Sequence, residues 1–265
     1  EDGLRLVQLA VSAEQNRNYD VAIEALEYVV AKGNEATQYD NAINRLLNIK
    51  YQKISTTYPV NMTEVTNLEK EYKKYTTEKG LASCSSELIL KYSSLLAFYM
   101  NKTEEATQLL EEAIKNASRE PKQINEYKIQ LADILLYTNN IWDATLLYSQ
   151  VDKDMPNDEI GQSAKFKNAK LSFYIGEFAW AKSQLDVLRA ATSKLIANDA
   201  MYFSLLISDN EEEEEDEEDE GEEEDTLLFS GQKMNIPLQY YAKADYLLFQ
   251  NKVDEAYTTF DSVIA

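Results

Sequence analysis

The stretch LADILLYTNNIWDATLLYSQVDKDMP, Leu131 to Pro156, decides the fold. Ala132 is followed twelve residues later by Ala144, and Ala144 four residues later by Tyr148. Between the alanines sit Asn139 and Asn140, a residue type that tolerates turn and left-handed backbone. This spacing predicts two antiparallel helices joined by a tight turn. A small residue on each helix lets the axes approach to about 8–10 Å. The large residue four positions on shares a face with the second alanine and fills the space beside the contact.

Working outward, the pattern recurs four more times: as Ala10, Ala22 and Leu26; Ser94, Ala106 and Leu110; Ala169, Ala181 and Leu185; and Ala244, Ala256 and Phe260. Asn18, Asn101, Gly176 and Asn251 mark the turns. A bulky residue three before the alanine, at Tyr19, Ile141, Phe178 and Val253, is expected to plug each turn, with Thr103 in its place in the second copy. Two wider intervals, 84 residues from Ala22 to Ala106 and 75 from Ala181 to Ala256, each leave room for one degenerate pair. In the first, periodicity predicts a helix from Ala36 to Thr57, stepping through Ala42, Leu46, Ile49 and Lys53, and another from Met62 to Glu78 capped by Asn61. In the second, Leu195, Ile196, Ala200, Phe203 and Ile207 predict a helix from Ser193 to Ser208, whose partner position is taken by a run of acid.

These residues resemble the tetratricopeptide repeat, a helix-turn-helix unit with a small residue in its first helix and an alanine, an aromatic and a closing proline in or after its second. The third copy matches best, from Leu131 and Ala132 through Ala144 and Tyr148 to Pro156. The repeat's first-helix tryptophan is absent, and the third and fourth alanines lie 37 residues apart, so lengthened helices are expected. LSFYIGEFAWAKSQLDVLRAATSKLIANDA and YYAKADYLLFQNKVDEAYTTFDSVI are further similar to the repeat region of large exported bacterial tetratricopeptide proteins. The resemblance implies an all-α, right-handed superhelical solenoid and a bacterial, exported or periplasmic setting. The expected organisation is repeats over 1–210, an acidic disordered insertion over 211–225, and repeats resuming over 226–265. A chain that opens on Glu1 and closes inside a helical pattern at Ala265 reads as a processed protein or a fragment of a longer one.

Composition limits the chemistry. Seven glycines and four prolines in 265 residues are too few turn formers for a many-stranded protein, while 44% apolar residues suffice for a core. Of the net charge of −21, fourteen units come from the fifteen residues Glu211 to Asp225, leaving −7 on the rest. Such like charges repel too strongly to pack, so an exposed loop is expected there. Weak calcium binding or attraction of a basic partner are the sharper readings of that run. An acidic field without a dense basic stripe argues against a nucleic-acid partner. No apolar run approaches the length of a membrane-spanning helix.

There is no histidine, so neither the commonest general base nor the commonest nitrogen ligand for a metal is present. Cys84, in ASCSSELIL at an expected helix start, lies where a helix dipole lowers a thiol pKa, but it has no histidine to take its proton. It reads as a structural residue. No phosphate-binding glycine loop occurs, and no cofactor, metal or catalytic set is read. The chain therefore reads as a noncatalytic scaffold that binds a protein or peptide. The alternative is a glycan or small-ligand module, suggested by 18 tyrosines and 2 tryptophans.

The tetratricopeptide resemblance points to first helices as the lining of a concave binding face. The residues it picks out, opposite the packing alanines, are Lys91, Leu95, Ile129, Asp133, Phe166, Lys170, Phe173, Tyr241 and Asp245. Lys165, Lys167 and Lys170 form the compact basic cluster on one helix and, with Phe166 and Phe173, a candidate anchor for a partner.

Overall fold

The computed structural model describes residues 3–33, 37–117, 120–190, 193–210 and 236–264; the acidic run and the residues that follow it to 235 lie outside that set. Thirteen α-helices and no strand occur among the described residues. They are α1 (Leu4–Gln15), α2 (Tyr19–Val30), α3 (Tyr39–Thr56), α4 (Met62–Lys79), α5 (Ser86–Ser94), α6 (Thr103–Asn116), α7 (Pro121–Tyr137), α8 (Ile141–Asp154), α9 (Glu159–Tyr174), α10 (Phe178–Leu188), α11 (Lys194–Ser208), α12 (Ile236–Phe249) and α13 (Val253–Ile264). The chain forms two compact units, Glu1–Ile134 and Leu135–Ala265, with the division inside α7.

Each of the five motif pairs turns on a left-handed residue at a fixed distance from the alanine. Five residues before Ala22, Ala106, Ala144, Ala181 and Ala256 stand Arg17, Asn101, Asn139, Gly176 and Asn251, all with positive φ between 55° and 84°. In four of the five the next amide reaches back across the turn: Asn18 N to Ala13 O, Asn140 N to Leu135 O, Glu177 N to Ser172 O and Lys252 N to Leu247 O, at 2.8 to 2.9 Å. This satisfies carbonyls left open at the end of the first helix. The alanine amide then donates to the carbonyl four residues back and starts the second helix. In the first copy, Arg17 and not Asn18 takes the left-handed position; Asn18 caps α2, its side chain accepting from Val21 N.

The second copy departs from the others. α5 runs into a π-helical turn over Leu95–Tyr99, and Lys102 N reaches Leu96 O, one residue further back than its counterparts. The wider turn absorbs an extra residue. Ser93, thirteen residues before Ala106, is consequently the fully buried small residue here. Ser94, expected in that role, is half-exposed and accepts a hydrogen bond from Gln130 Nε2 at 2.9 Å.

In the first unit, α1, α2 and α3 pack around Val7, Ala10, Ala22, Leu26, Val29, Ala42, Leu46 and Ile49. The degenerate interval forms the long pair α3 and α4, each of 18 residues, with α3 starting at Tyr39. Asn61 caps α4 as expected, accepting from Thr63 N at 3.0 Å. Tyr72 bonds the pair together, its hydroxyl donating to Leu47 O at 3.3 Å, and its ring stacks on Tyr92 of α5 at 5.1 Å.

In the second unit α8, α9, α10 and α11 pack in sequence, and α12 pairs with α13. All the motif alanines are fully buried; Phe260 is half-buried against Tyr241, and Val253 is too exposed to plug its turn. On α11, Ala200 and Ile207 face the core, but Leu195 is 71% exposed. Gly161, buried near the start of α9, faces the end of α8 so closely that a Cβ would stand 1.9 Å from Met155 O. Helix propensity favours alanine over glycine by about 1 kcal/mol, but a backbone clash of this size outweighs that gain. Gly161→Ala is expected to destabilise the protein by about 1–3 kcal/mol in urea unfolding. Gly176→Asn, at a left-handed position with open space around it, is expected to change stability by only a few tenths of a kcal/mol.

Candidate functional site

The residues expected to line a binding face lie on first helices, and the two units place them in different surroundings. In the first unit, Ser86, Glu87, Leu90, Lys91 and Ser94 of α5, with Glu126 of α7, line an open recess of about 390 Å³. Lys91 pairs with Glu87 one turn earlier at 2.6 Å. Ile129 and Asp133 are half-buried on α7, at positions that helical spacing places on the face of Glu126. Leu95 belongs to the core.

A second hollow, of about 200 Å³, lies between α2, α3 and α4, beside Ile23, Ile54, Asn67 and Leu68. Two lysines of α3 stitch these helices together. Lys50 meets Glu27 at 3.0 Å and Glu71 at 2.9 Å; Lys53 meets Asp20 at 3.0 Å and Glu64 at 3.6 Å. Burial lowers the Lys50 pKa, but hydrogen bonds and charges from Glu71 and Glu27 together outweigh it, so the net shift is upward.

In the second unit the expected anchor is already engaged. Lys165 pairs with Asp152 at 3.4 Å, and Lys170 with Asp245 at 3.3 Å. Lys167 is half-buried on the same helix. Lys170 also lies over the rings of Tyr174 and Phe203, at 5.3 and 5.1 Å. Phe166 is half-buried against Phe203. Phe173 is fully buried among Phe178, Phe203 and Tyr241, and so presents no surface to a partner.

Four of the residues expected to line the face therefore meet one another: Lys170 and Phe173 on α9 oppose Asp245 and Tyr241 on α12. α12 packs on α9, two helices earlier in the chain, as well as meeting α11 and the end of α7. Tyr241 meets Phe173 of α9 and shares a 3.3 Å hydroxyl contact with Tyr202 of α11. Tyr246 stacks on Tyr174 at 5.1 Å and donates to Leu136 O at 2.8 Å; Gln250 Nε2 donates to Tyr137 O at 3.3 Å. Both of these acceptors are carbonyls of the last turn of α7; Leu136 O also accepts from Asn139 N at 3.0 Å, so Tyr246 takes its second lone pair.

The Lys170–Asp245 pair, with side chains 30% and 24% exposed, contributes about 1 kcal/mol or less. Each aromatic pair adds about 0.5–1.5 kcal/mol beyond its buried area, so the rings outweigh the ion pair. The sequence did not reveal Tyr174, Tyr202, Tyr246 or Gln250 in this role, because their meeting depends on where α12 turns.

The resolved pKa shifts all move groups away from the neutral range. Burial raises Cys84, whose Sγ faces Gly80 O at 3.5 Å, the opposite of the activation that a helix start offers. Burial likewise raises Tyr72, Tyr92, Tyr127 and Tyr246, and lifts Tyr51 to about 12. Among the described residues no group of three His, Cys, Asp or Glu could hold a metal ion, and no helix is long and apolar enough to cross a membrane.

No protein-family model matches the chain, and no curated protein matches it in sequence. Its fold matches a solved tetratricopeptide repeat protein from Parabacteroides merdae ATCC 43184, with a TM-score of 0.56 over 99% of this chain and 92% of that one, at 11% identity. The chain thus has the all-α tetratricopeptide fold, and at that identity the likeness is one of fold.

The tyrosine shifts have a consequence for stability. Unfolded tyrosines ionise near pH 10, whereas the buried ones resist ionisation, so the unfolded state holds fewer protons above that pH and stability falls as pH rises. Lys50, raised from 10.5, acts in the same direction above its unfolded value. The folding free energy is expected to be flat with respect to these groups below about pH 9.5 and to drop from about pH 10. The part of the tyrosinate absorbance that belongs to the buried rings should rise only with loss of helical circular dichroism; full tyrosine ionisation in a still-folded chain would contradict this.

Proposed function

We propose that this protein is a noncatalytic interaction scaffold that receives a peptide or helix of a partner protein on the faces of its first helices. The tetratricopeptide fold supports an interaction role in general. The observation that carries the finer reading is α12, a helix seated by side-chain contacts across α9 and the end of α7. A face that accepts one helix in this way has the chemistry to accept another. In the first unit the counterpart is the recess at Leu90, Lys91 and Glu126, with Ile129 and Asp133 further along α7.

A second reading, binding of glycans, draws on the exposure of both tryptophans, Trp142 at 85% and Trp180 at 59%, on the second helices α8 and α10. Exposed indole rings stack on sugars. Saturable heat in calorimetry against an oligosaccharide panel, lost in Trp142→Ala and Trp180→Ala, would favour it.

The test of the scaffold reading is site-specific photocrosslinking in extract of the native cell. A crosslinking residue placed at Leu90 is expected to trap a discrete protein, and Lys91→Glu to reduce the yield at least about tenfold, the loss of about 1.4 kcal/mol of affinity. Crosslinks that form only from Trp142 or Trp180, or that ignore Lys91→Glu, would overturn it.

A further inference from the structure

We propose that α12 is a built-in occupant of the first-helix face of the second unit, and that the external partner of this face is a helix carrying the same aromatic and acidic stripe. This rests on the scaffold reading above and names the partner class for one of its two faces. Three observations carry it. First, α12 packs on α9 and reaches the end of α7, although α11 comes between α9 and α12 in the chain.

Second, its contacts are those of a ligand helix. Tyr241, Asp245 and Phe249 repeat every four residues, and Tyr246 and Gln250 flank them, so that one stripe faces α9 and the end of α7. Third, the receiving surface is specific in chemistry. Lys170 supplies the cation, Tyr174 a flat ring for Tyr246, and the carbonyls of Leu136 and Tyr137 the acceptors.

A partner helix must therefore place a carboxylate against Lys170, with a hydroxyl-bearing aromatic one residue later for Tyr174 and Leu136 O. A basic or aliphatic helix lacks both features. Such a partner competes with α12, so its apparent affinity is its intrinsic affinity multiplied by the fraction of time α12 leaves the face free. The geometry makes the second unit a closed site and the recess beside Lys91 an open one.

The test uses the full chain and a labelled peptide of residues 236–252. Wild-type chain is expected to bind the peptide at least about tenfold more weakly than the release variant Asp245→Ala/Tyr246→Ala, read by fluorescence anisotropy. Adding Lys170→Asp to that variant should abolish binding, and a peptide carrying Asp245→Lys should restore it. Equal binding to wild type and release variant, or no charge-swap rescue, would overturn the proposal.

Hydrogen exchange on the unaltered chain gives a reading that needs no variant: α12 and α13 should open as a unit faster than α8 to α10. A single common exchange rate for all these helices would also overturn it. If the peptide fails to bind while crosslinks from Leu90 persist, this inference falls and the scaffold reading stands. If both fail, both fall.

Discussion

Everything in this chain hangs on the close approach of two helix backbones, made possible where small residues stand in both helices and where the turn between them closes within a few residues. The buried alanine at the start of each second helix is half of that device. The left-handed residue five positions earlier is the other half. Together they fix how far apart the helices lie and where the second one begins, so the larger side chains at Leu26, Leu110, Tyr148 and Leu185 fall into the core. Neither half would suffice alone: without the turn the alanines do not face each other, and without the alanines the turn leads into a helix that stands too far off to bury its own stripe.

Because that device is local, it was legible in the sequence. The five pairs, the long α3–α4 pair and the cap at Asn61 all follow from spacing and residue type. The errors are also local. Asn18 looked like the turn residue because asparagine tolerates left-handed backbone, yet Arg17 occupies the position dictated by distance from Ala22. Ser94 looked like the small packing residue because it lies twelve before Ala106, but a π-helical turn moves the buried role to Ser93.

The candidate site was much less legible, and for a physical reason. First-helix faces can be picked out by periodicity, which is why Lys91, Phe166, Lys170, Tyr241 and Asp245 were singled out. Which of them remain open depends on the path of the chain between distant helices, and no pattern within a helix encodes that. Lys170 and Asp245 are 75 residues apart and read as two separate surface charges; in the fold they are one ion pair. Phe173 belongs to the first-helix face by spacing, yet three rings enclose it.

The π-helical turn at Leu95–Tyr99 has a meaning for how such a chain changes over time. A residue added to a regular helix rotates everything beyond it by about 100°, enough to turn a packed face outward. Here the extra residue is taken up within five positions, and the turn at Asn101 and the alanine at Ala106 keep the same separation as in every other pair. Length and phase are thereby uncoupled: the first helix carries an extra residue, while the second starts at the same distance from its turn residue as in every other pair. A repeat protein with such a buffer can drift in the sequence period of its units while keeping the period of its architecture, and two of its pairs can differ in length without differing in fit.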